Sequence, residues 1–481
     1  MRKLSRRNVL RALGIGGAAV AAAACQPKVV EVTKVVEKVV KETVMVEGTP
    51  QVVEKVVKET VVVETEVEKI VEVEKEVELR WVTNHGAAEM GNFQRVVDNF
   101  HEAHPNLKIE FLNMPGGNEY YNAINTQAVG GDLPDVFYCR SMDTAPFASR
   151  DWLVNLEPFI EVYGIDKSDF WDAQIAQMSF QDDLYALPYE FSSLAFFYNK
   201  NIFDDMGIAY PEGSWTWDDW AELALKFTEM DGDKQMRWGS SMGSGSWTFR
   251  GVLQCNGGGY WDADERVCTI ASQANIDTFE RFVEYRKAGA FPEGGALPQG
   301  VNPWTSGLIV MNYNGSWATQ GLREQVGDGF DWDCVASPYG SEGRRGVSAA
   351  GGAWSVGYNT KAINEAFLLC DHVTSTESTN ILISEPVRSI PGRKSSVPAW
   401  VKYASEGGLP PDNAQIFADQ LEDAYARPYP AFWKDFEQVW NNRVSQMLYG
   451  GGEEEVDVTE NLNLMQEEIQ DAMDMWWEQA E

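Results

Sequence analysis

Four histidines, His85, His101, His104 and His372, bound the metal and proton chemistry open to this 481-residue chain. His101 and His104 stand three apart and share a helical face, but no third ligand lies near them and Pro105 follows at once. The run Gly243-Ser244-Gly245-Ser246 imitates a nucleophile elbow with the wrong offsets, and no strand-turn-helix pattern frames it. Gly130-Gly131-Asp132 and Gly257-Gly258-Gly259 lack the Lys-Ser/Thr ending of a phosphate cradle and the setting of a dinucleotide turn. Acid pairs are too many to single out a glycosidase couple, whose two carboxylates are defined by distance in space. No metal, cofactor or catalytic residue is therefore expected.

The residues that do suggest chemistry are the eighteen tryptophans and seventeen tyrosines. A pyranose has an apolar C–H face and a polar rim, so an indole can cover the first while Asn, Asp, Glu or Arg meets the hydroxyls. Trp317 leads the candidates, because Gly315 and Ser316 suggest a tight strand-to-helix turn that presents its ring. Asn314 either bonds a ligand or stabilises that turn. Trp354 follows the backbone turn at Gly351-Gly352, and Trp247 lies in a Gly/Ser-rich stretch. Arg140 and Asp143 follow a strand end, as ligand contacts or as a surface ion pair, and His85 sits on the first strand's exit loop. Trp433 is expected in the core. Trp215 and Trp217 are expected to pack the end of a helix that begins at Asp219 under an Asp218 cap.

The elements that must position these residues begin at Leu79. A strand at 79–83, a helix over Met90–His104 carried by Phe93, Val96, Val97 and Phe100, and a strand at Lys108–Phe111 come first. A helix around Tyr120–Val129 and a strand at Asp135–Tyr138 follow, an order that predicts a mostly parallel sheet with helices on its faces. About 400 residues exceed one ordinary core, so two lobes are expected.

Ahead of this lies an address. Arg2, Lys3, Arg6, Arg7 and Arg11 precede an apolar run from Ala12 to Ala24 that is too short to span a bilayer. Residues 1–24 read as an export signal. Ser5–Leu10 resembles a twin-arginine signal and Ala22-Ala23-Ala24-Cys25 a lipobox, which would make Cys25 the lipidated first mature residue and the link to the membrane. Residues 25–78 form a charged, valine-rich tether in which Val35–Thr43 recurs at 52–60. It reads as an extended spacer reaching at most roughly 170 Å, or as an oligomerising coiled coil interrupted at Gly48-Thr49-Pro50. The formal net charge of −34, made more negative by loss of the basic start, argues against nucleic acid and anionic lipid as partners. Five further cysteines are compatible with disulfides in an oxidising compartment; their number is odd, and Cys255 and Cys268 are nearest in sequence.

Six segments then occur in a telling order: GDLPDVFY (131–138), LYALPYEFSSLAFFYNKNIFDDMGI (184–208), WTWDDW (215–220), GLIVMNYNGSWA (307–318), AAGGAWSVGYNT (349–360) and IPGRKS (390–395). In this the chain resembles bacterial extracellular solute-binding proteins of the sugar type, the substrate-capturing subunits of ATP-driven importers. The resemblance runs from about residue 80 to the C-terminus, with the stretch 231–300 matching least. It implies an α/β, two-lobe, periplasmic-binding-protein-like fold of type II, with an interlobe cleft and a hinge. Lobe one would be 79–190 plus 351–392, and lobe two 191–350 plus 393–481. The chain would cross near Pro188–Glu190, Gly351-Gly352 and Pro391, placing Glu190 where its carboxylate can accept hydroxyl protons or stand as a solvated hinge charge. The resemblance also implies a ligand-facing aromatic at Trp317. The expected function is capture of a sugar, oligosaccharide or other polyhydroxylated solute and its delivery to an ABC permease, without catalysis. A cell-surface carbohydrate hydrolase or lectin is the alternative, and an adhesive surface protein a third.

Overall fold

The computed structural model describes residues 28–46, 49–67 and 76–480, apart from 385–388, 406–407, 426 and 451–455. The export signal and Cys25 lie outside the described residues. Valine branches at Cβ and favours extended backbone, and the valine-rich tract accordingly forms two strands, β1 (Lys28–Val46) and β2 (Thr49–Val67). They pair antiparallel with Val35 opposite Thr60 and Thr43 opposite Val52, so the two copies of the repeat lie against one another end to end. The expectation of a single extended spacer or a coiled coil is corrected to an antiparallel hairpin whose outer ends, Lys28 and Val67, lie opposite one another, so the paired tract folds back on itself and does not span its own length.

The first lobe starts two residues earlier than expected, with β3 (Val77–Thr83). Helix α1 (Met90–Ala103) buries Phe93, Val96, Val97 and Phe100, the stripe its spacing predicts. After β4 (Leu107–Asn113) comes α2 (Asn118–Gly130), closed by Gly131 in the left-handed region at φ 70°. Next come β5 (Val136–Arg140) and α3 (Ser141–Ala148). The long strand β6 (Leu187–Asn199) leads into the second lobe.

There α4 (Trp217–Lys226) begins two residues before the expected Asp219. Its cap is Thr216, whose hydroxyl accepts from the Asp219 N–H while the Asp219 carboxylate takes the Thr216 N–H at 2.8 Å. Strands β7 (Glu229–Asp231) and β8 (Lys234–Ser240), helix α5 (Ser246–Cys255), and strands β9 (Ile309–Gly315) and β10 (Trp332–Ala336) follow. β11 (Ala349–Val356) returns to the first lobe, and β12 (Ile390–Pro391) adds to its edge of the hinge. The chain ends in α6 (Val397–Ala404), α7 (Trp433–Tyr449) and α8 (Val458–Ala480).

One continuous sheet runs β4-β3-β5-β11-β6-β9-β8-β7, with β10 and β12 also on β6. It is mixed, not mostly parallel. β3 is parallel to β4 and β5, and β8 to β9, whereas every pairing of β6 and β11 is antiparallel. The switch between lobes falls within β6: Leu187–Ser193 pair with β11, and Leu194–Asn199 with β9 and β10.

All thirteen residues of β6 are buried. Because successive side chains of a strand point to opposite faces, β6 serves three cores. Leu187 and Tyr189 join Trp81, Phe93, Trp354 and Phe367 in the first lobe. Leu194, Phe196 and Tyr198 join Trp217, Phe249, Trp433 and Trp440 in the second. Phe191, Ala195 and Phe197 face a third core with Trp332, Trp400 and Phe417, to which Trp171 from the first half of the chain also belongs. Cys139, Cys255, Cys268, Cys334 and Cys370 are all buried free thiols, Cys255 and Cys268 included.

The crossing at β11 depends on two glycines. A Cβ on Gly352 would stand 2.1 Å from the Tyr138 ring, and one on Gly351 2.1 Å from the Glu190 carbonyl oxygen. Neither neighbour is the loose end of a flexible chain, so backbone and ring would have to move apart. Gly352→Ala should lower the melting temperature by the equivalent of about 1–3 kcal/mol. Gly91→Ala, in α1 with open space around it, should leave stability unchanged or raise it by up to about 1 kcal/mol. Thermal denaturation of the two variants beside the wild type checks both.

Candidate ligand-binding site

β9 ends at Gly315 and turns at once into a single 3-10 turn, Ser316–Ala318, the strand-to-helix turn expected from the sequence. Gly315 is required there by its neighbour: a Cβ would meet the Trp317 ring at 1.9 Å. The Ser316 hydroxyl is buried and donates to Ser192 on β6 at 3.0 Å, tying the turn to the crossing strand. Asn314 is half-buried and turns its carboxamide oxygen to the Gly315 N–H at 2.9 Å, the turn-stabilising role. Trp317 is half-buried, and its ring lies 5.6 Å from that of Trp247 with 51° between the planes. Trp247 comes from the first turn of α5, seventy residues away in sequence, and is also half-buried. Two candidate indoles are thus brought together, each resting on the second core with part of its ring uncovered.

A polar wall rises from the first lobe. The Arg140 guanidinium covers the Tyr121 ring at 3.3 Å and donates to Asp143 at 2.6 Å. The Glu190 carboxylate accepts the Tyr138 hydroxyl at 2.6 Å. Glu190 also lines a cavity of about 10 Å³ with Glu89, Tyr189 and Ser389, enough for about one water. Burial pushes the Tyr121 hydroxyl up to about 12, against the pull of Arg140, with Asp143 and Glu190 adding to the rise. Tyr121, Arg140, Asp143 and Glu190 therefore share one field.

From the second lobe, Lys434 in the first turn of α7 reaches Asp143 at 2.7 Å. Burial alone would raise the Asp143 carboxyl, but Arg140 and Lys434 overcome this and hold it below its ordinary value. Only 2% of its side chain is exposed, so in this arrangement Asp143 faces Lys434 and has no surface for a ligand. It is neither a surface ion pair nor an open contact.

Two expectations are corrected. Trp354 has 0% of its surface exposed and sits between Trp81, at 5.1 Å, and Tyr189, at 5.4 Å. It belongs to the first core, because β11 turns that side of the strand toward the helices and away from the second lobe. His85 is buried too. Its ring packs against Phe93 at 4.8 Å and Tyr138 at 5.1 Å, and its Nδ1 bonds the Thr83 hydroxyl. Trp433 is in the core as expected, and so are Trp215 and Trp217. His101 is occupied structurally, accepting the Ile109 N–H at 3.2 Å. Among the described residues no three His, Cys, Asp or Glu side chains converge as a metal site, and no helix is long and apolar enough to cross a membrane.

The model of the family described as bacterial extracellular solute-binding protein matches residues 86–380, more than half the chain and including the stretch 231–300. The chain belongs to that family. Its members bind solutes and are not hydrolases, which removes the hydrolase alternative. Among curated relatives, the multiple sugar-binding protein of Streptococcus mutans is 20% identical over 303 residues, covering 59% of this chain and 68% of that protein. Among solved structures, the ABC substrate-binding protein of Listeria monocytogenes in complex with cycloalternan superposes with a TM-score of 0.72 at 21% identity. It covers 83% of this chain and 99% of that one. UgpB of Mycobacterium tuberculosis, in complex with glycerophosphocholine, gives 0.70 at 18% identity, with 83% and 99% covered. The fold is the α/β, two-lobe, type II periplasmic-binding-protein fold.

For a solute-binding protein of this family, several residues at the junction escape notice in sequence. Tyr121 and Tyr138 look like ordinary helix and strand aromatics. Arg250, three residues after Trp247 on α5, is buried with its guanidinium over Tyr429 at 4.4 Å and donates to the Arg427 and Pro428 carbonyls at 3.0 and 3.1 Å. Lys434 and Glu437 follow Trp433 at helical spacing. That i, i+3 opposite-charge pair directly after a buried aromatic was the one available signal.

The depressed Asp143 carboxyl has a pH consequence. A carboxyl held below its unfolded value contributes stability that is fully present above that value and is lost as the pH falls through the folded one. The ordinary value is 3.8. The melting-temperature gap between wild type and Asp143→Asn should therefore stay level from about pH 8 to pH 5 and close only below about pH 4. A gap that changes between pH 5 and 7 in thermal melts would contradict this assignment.

Proposed function

We propose that this chain captures a sugar or other polyhydroxylated solute between its lobes and hands it unaltered to the permease of an ABC importer. The observation that carries the reading is the Trp247–Trp317 pair: two partly uncovered indoles from separate segments of the second lobe, seated beside the crossing strand. An indole pair offers the apolar surface that a pyranose face needs. Asn314, Glu190 and Arg140, with Tyr121 beneath the guanidinium, supply acceptors and donors within the same region of the molecule. Burying a hydroxyl without a partner costs roughly 1–3 kcal/mol, so such groups select for ligands that satisfy them. The proteins that share the fold support the class of ligand. One binds cycloalternan, a saccharide, and another glycerophosphocholine, which keeps glycerol phosphodiesters within the range to be tested. Trp354, Asp143 and His85 act behind the surface, as packing and as a lobe contact. Lobe closure around the solute shifts a population between open and closed forms, and the closed form is the one presented to the permease.

The amino-terminal segment is read in the same way. Its basic start, short apolar run and Cys25 support export followed by lipid attachment at Cys25, with the β1–β2 hairpin between anchor and lobes.

A thermal-shift panel of mono- and oligosaccharides, polyols and glycerophosphodiesters should give a raised melting temperature with at least one class. Calorimetric titration of that compound into Trp317→Ala should then show affinity weakened by about 2 kcal/mol, roughly thirtyfold. Wild-type affinity in a folded Trp317→Ala protein would overturn the stacking role. Separately, Cys25→Ser should move the expressed protein from the membrane fraction to the soluble one, and retention in the membrane would exclude lipid on Cys25 as the anchor.

A further inference from the structure

The two lobes meet at one ion pair that is flanked by a further charge on each side, a symmetrical pattern of four. On the first lobe Arg140 and Asp143 stand three apart, at the end of β5 and in the first turn of α3, joined at 2.6 Å. On the second, Lys434 and Glu437 stand three apart at the start of α7, 3.8 Å from one another. Asp143 and Lys434 close the gap between lobes at 2.7 Å, and Arg140 also feels the charge of Glu437. The result is an alternating circuit of two cations and two anions, half from each lobe. Beside it, Met142 from the first-lobe helix α3 is buried in the second lobe's core with Trp433 and Phe436. No other residue of α3 joins that cluster.

From this geometry we propose that Lys434 is a positioning residue: with Asp143 it forms an ionic clasp that holds the lobes together before any solute is bound. The physical need for one is plain in a chain of net charge −34, where like charge opposes the approach of the two lobes. A local attraction has to offset that repulsion. Asp143 is buried and fixed by Arg140, so it offers a preorganised acceptor. Lys434 is 36% exposed and can rehydrate when the lobes part. A partner that regains water on release makes the clasp reversible, whereas a fully buried pair would cost too much to break and re-form. Because apparent affinity scales with the fraction of molecules already in the binding-competent form, the clasp would tune solute affinity without touching the solute.

The clasp rests on the two-lobe receptor reading, and the two fail separately, since its test uses no ligand. Spin labels on Val129→Cys and Met230→Cys, exposed positions on the first and second lobe, report the interlobe distance in a Cys25→Ser background. The five remaining cysteines are buried and stay unlabelled. In ligand-free protein, Lys434→Met and Asp143→Asn should each lower the ratio of short-distance to long-distance populations at least threefold. The double variant should fall no further than the lower of the two, because both remove one contact. Lys434→Arg should keep the wild-type distribution, and Glu437→Gln, which does not touch the first lobe, should shift it less than Lys434→Met. Circular dichroism and melting curves establish that each variant is folded. An unchanged distance distribution in folded Lys434→Met, additive shifts in the double variant, or an effect of Glu437→Gln equal to that of Lys434→Met would each overturn the clasp. Failure of every solute to bind would sink the proposed function and leave these distances as they are.

Discussion

The structure hangs on the burial of one strand along its whole length. From Leu187 to Asn199 every side chain is enclosed, and the chain can satisfy thirteen consecutive residues only by packing something on both faces and pairing something on both edges. That demand brings β11 and β12 to the first half of the strand and β9 and β10 to the second. It also explains why the second half of the molecule has two cores: even-numbered residues face α4, α5 and α7, and odd-numbered ones face the helices between 397 and 421. A single continuous strand common to both lobes carries the switch between them near its mid-point, between Ser193 and Leu194. A little before that point, at Glu190 and Phe191, it runs beside Gly352 and Gly351, and the register of β11 shifts by a bulge just after Gly352.

Around that mid-point the molecule places several buried or half-buried polar pairs. Glu190 with Tyr138, Ser192 with Ser316, and Arg140 with Asp143 and Lys434 are all found within a few residues of the crossing. Each is buried or half-buried and each has a partner, as the cost of desolvating polar and charged groups requires. The apolar element of the same region, the Trp247–Trp317 pair, is left partly uncovered because the glycine before Trp317 lets the ring fold down over its own turn.

Tryptophan abundance was a sound clue to composition and a weaker one to site. Most of the eighteen indoles, Trp81, Trp217, Trp220, Trp332, Trp354, Trp400, Trp433 and Trp440 among them, fill cores. Trp354 illustrates the difficulty. Its sequence setting, two residues after a glycine, matches that of Trp317, yet strand parity sends one ring inward to Trp81 and His85 and a turn leaves the other at the junction. Nothing local separates the two cases. The same holds for Asp143, whose role depends on Lys434, nearly three hundred residues away.

The sequence by itself determined the elements and the family. The stripe of Phe93, Val96, Val97 and Phe100 defines its helix, the glycine and serine at 315 and 316 define their turn, and six ordered segments identify the solute-binding fold. These are properties of neighbouring residues, governed by periodicity, capping and backbone freedom, and they survive without knowledge of distant partners. Tertiary structure decided what lies beyond that reach: the hairpin that pairs the two valine repeats, the antiparallel strands at the hinge, which indoles are covered, and which cation answers Asp143. Each of these depends on the distance between groups remote in the chain, and burial, screening and hydrogen bonding act through distance alone.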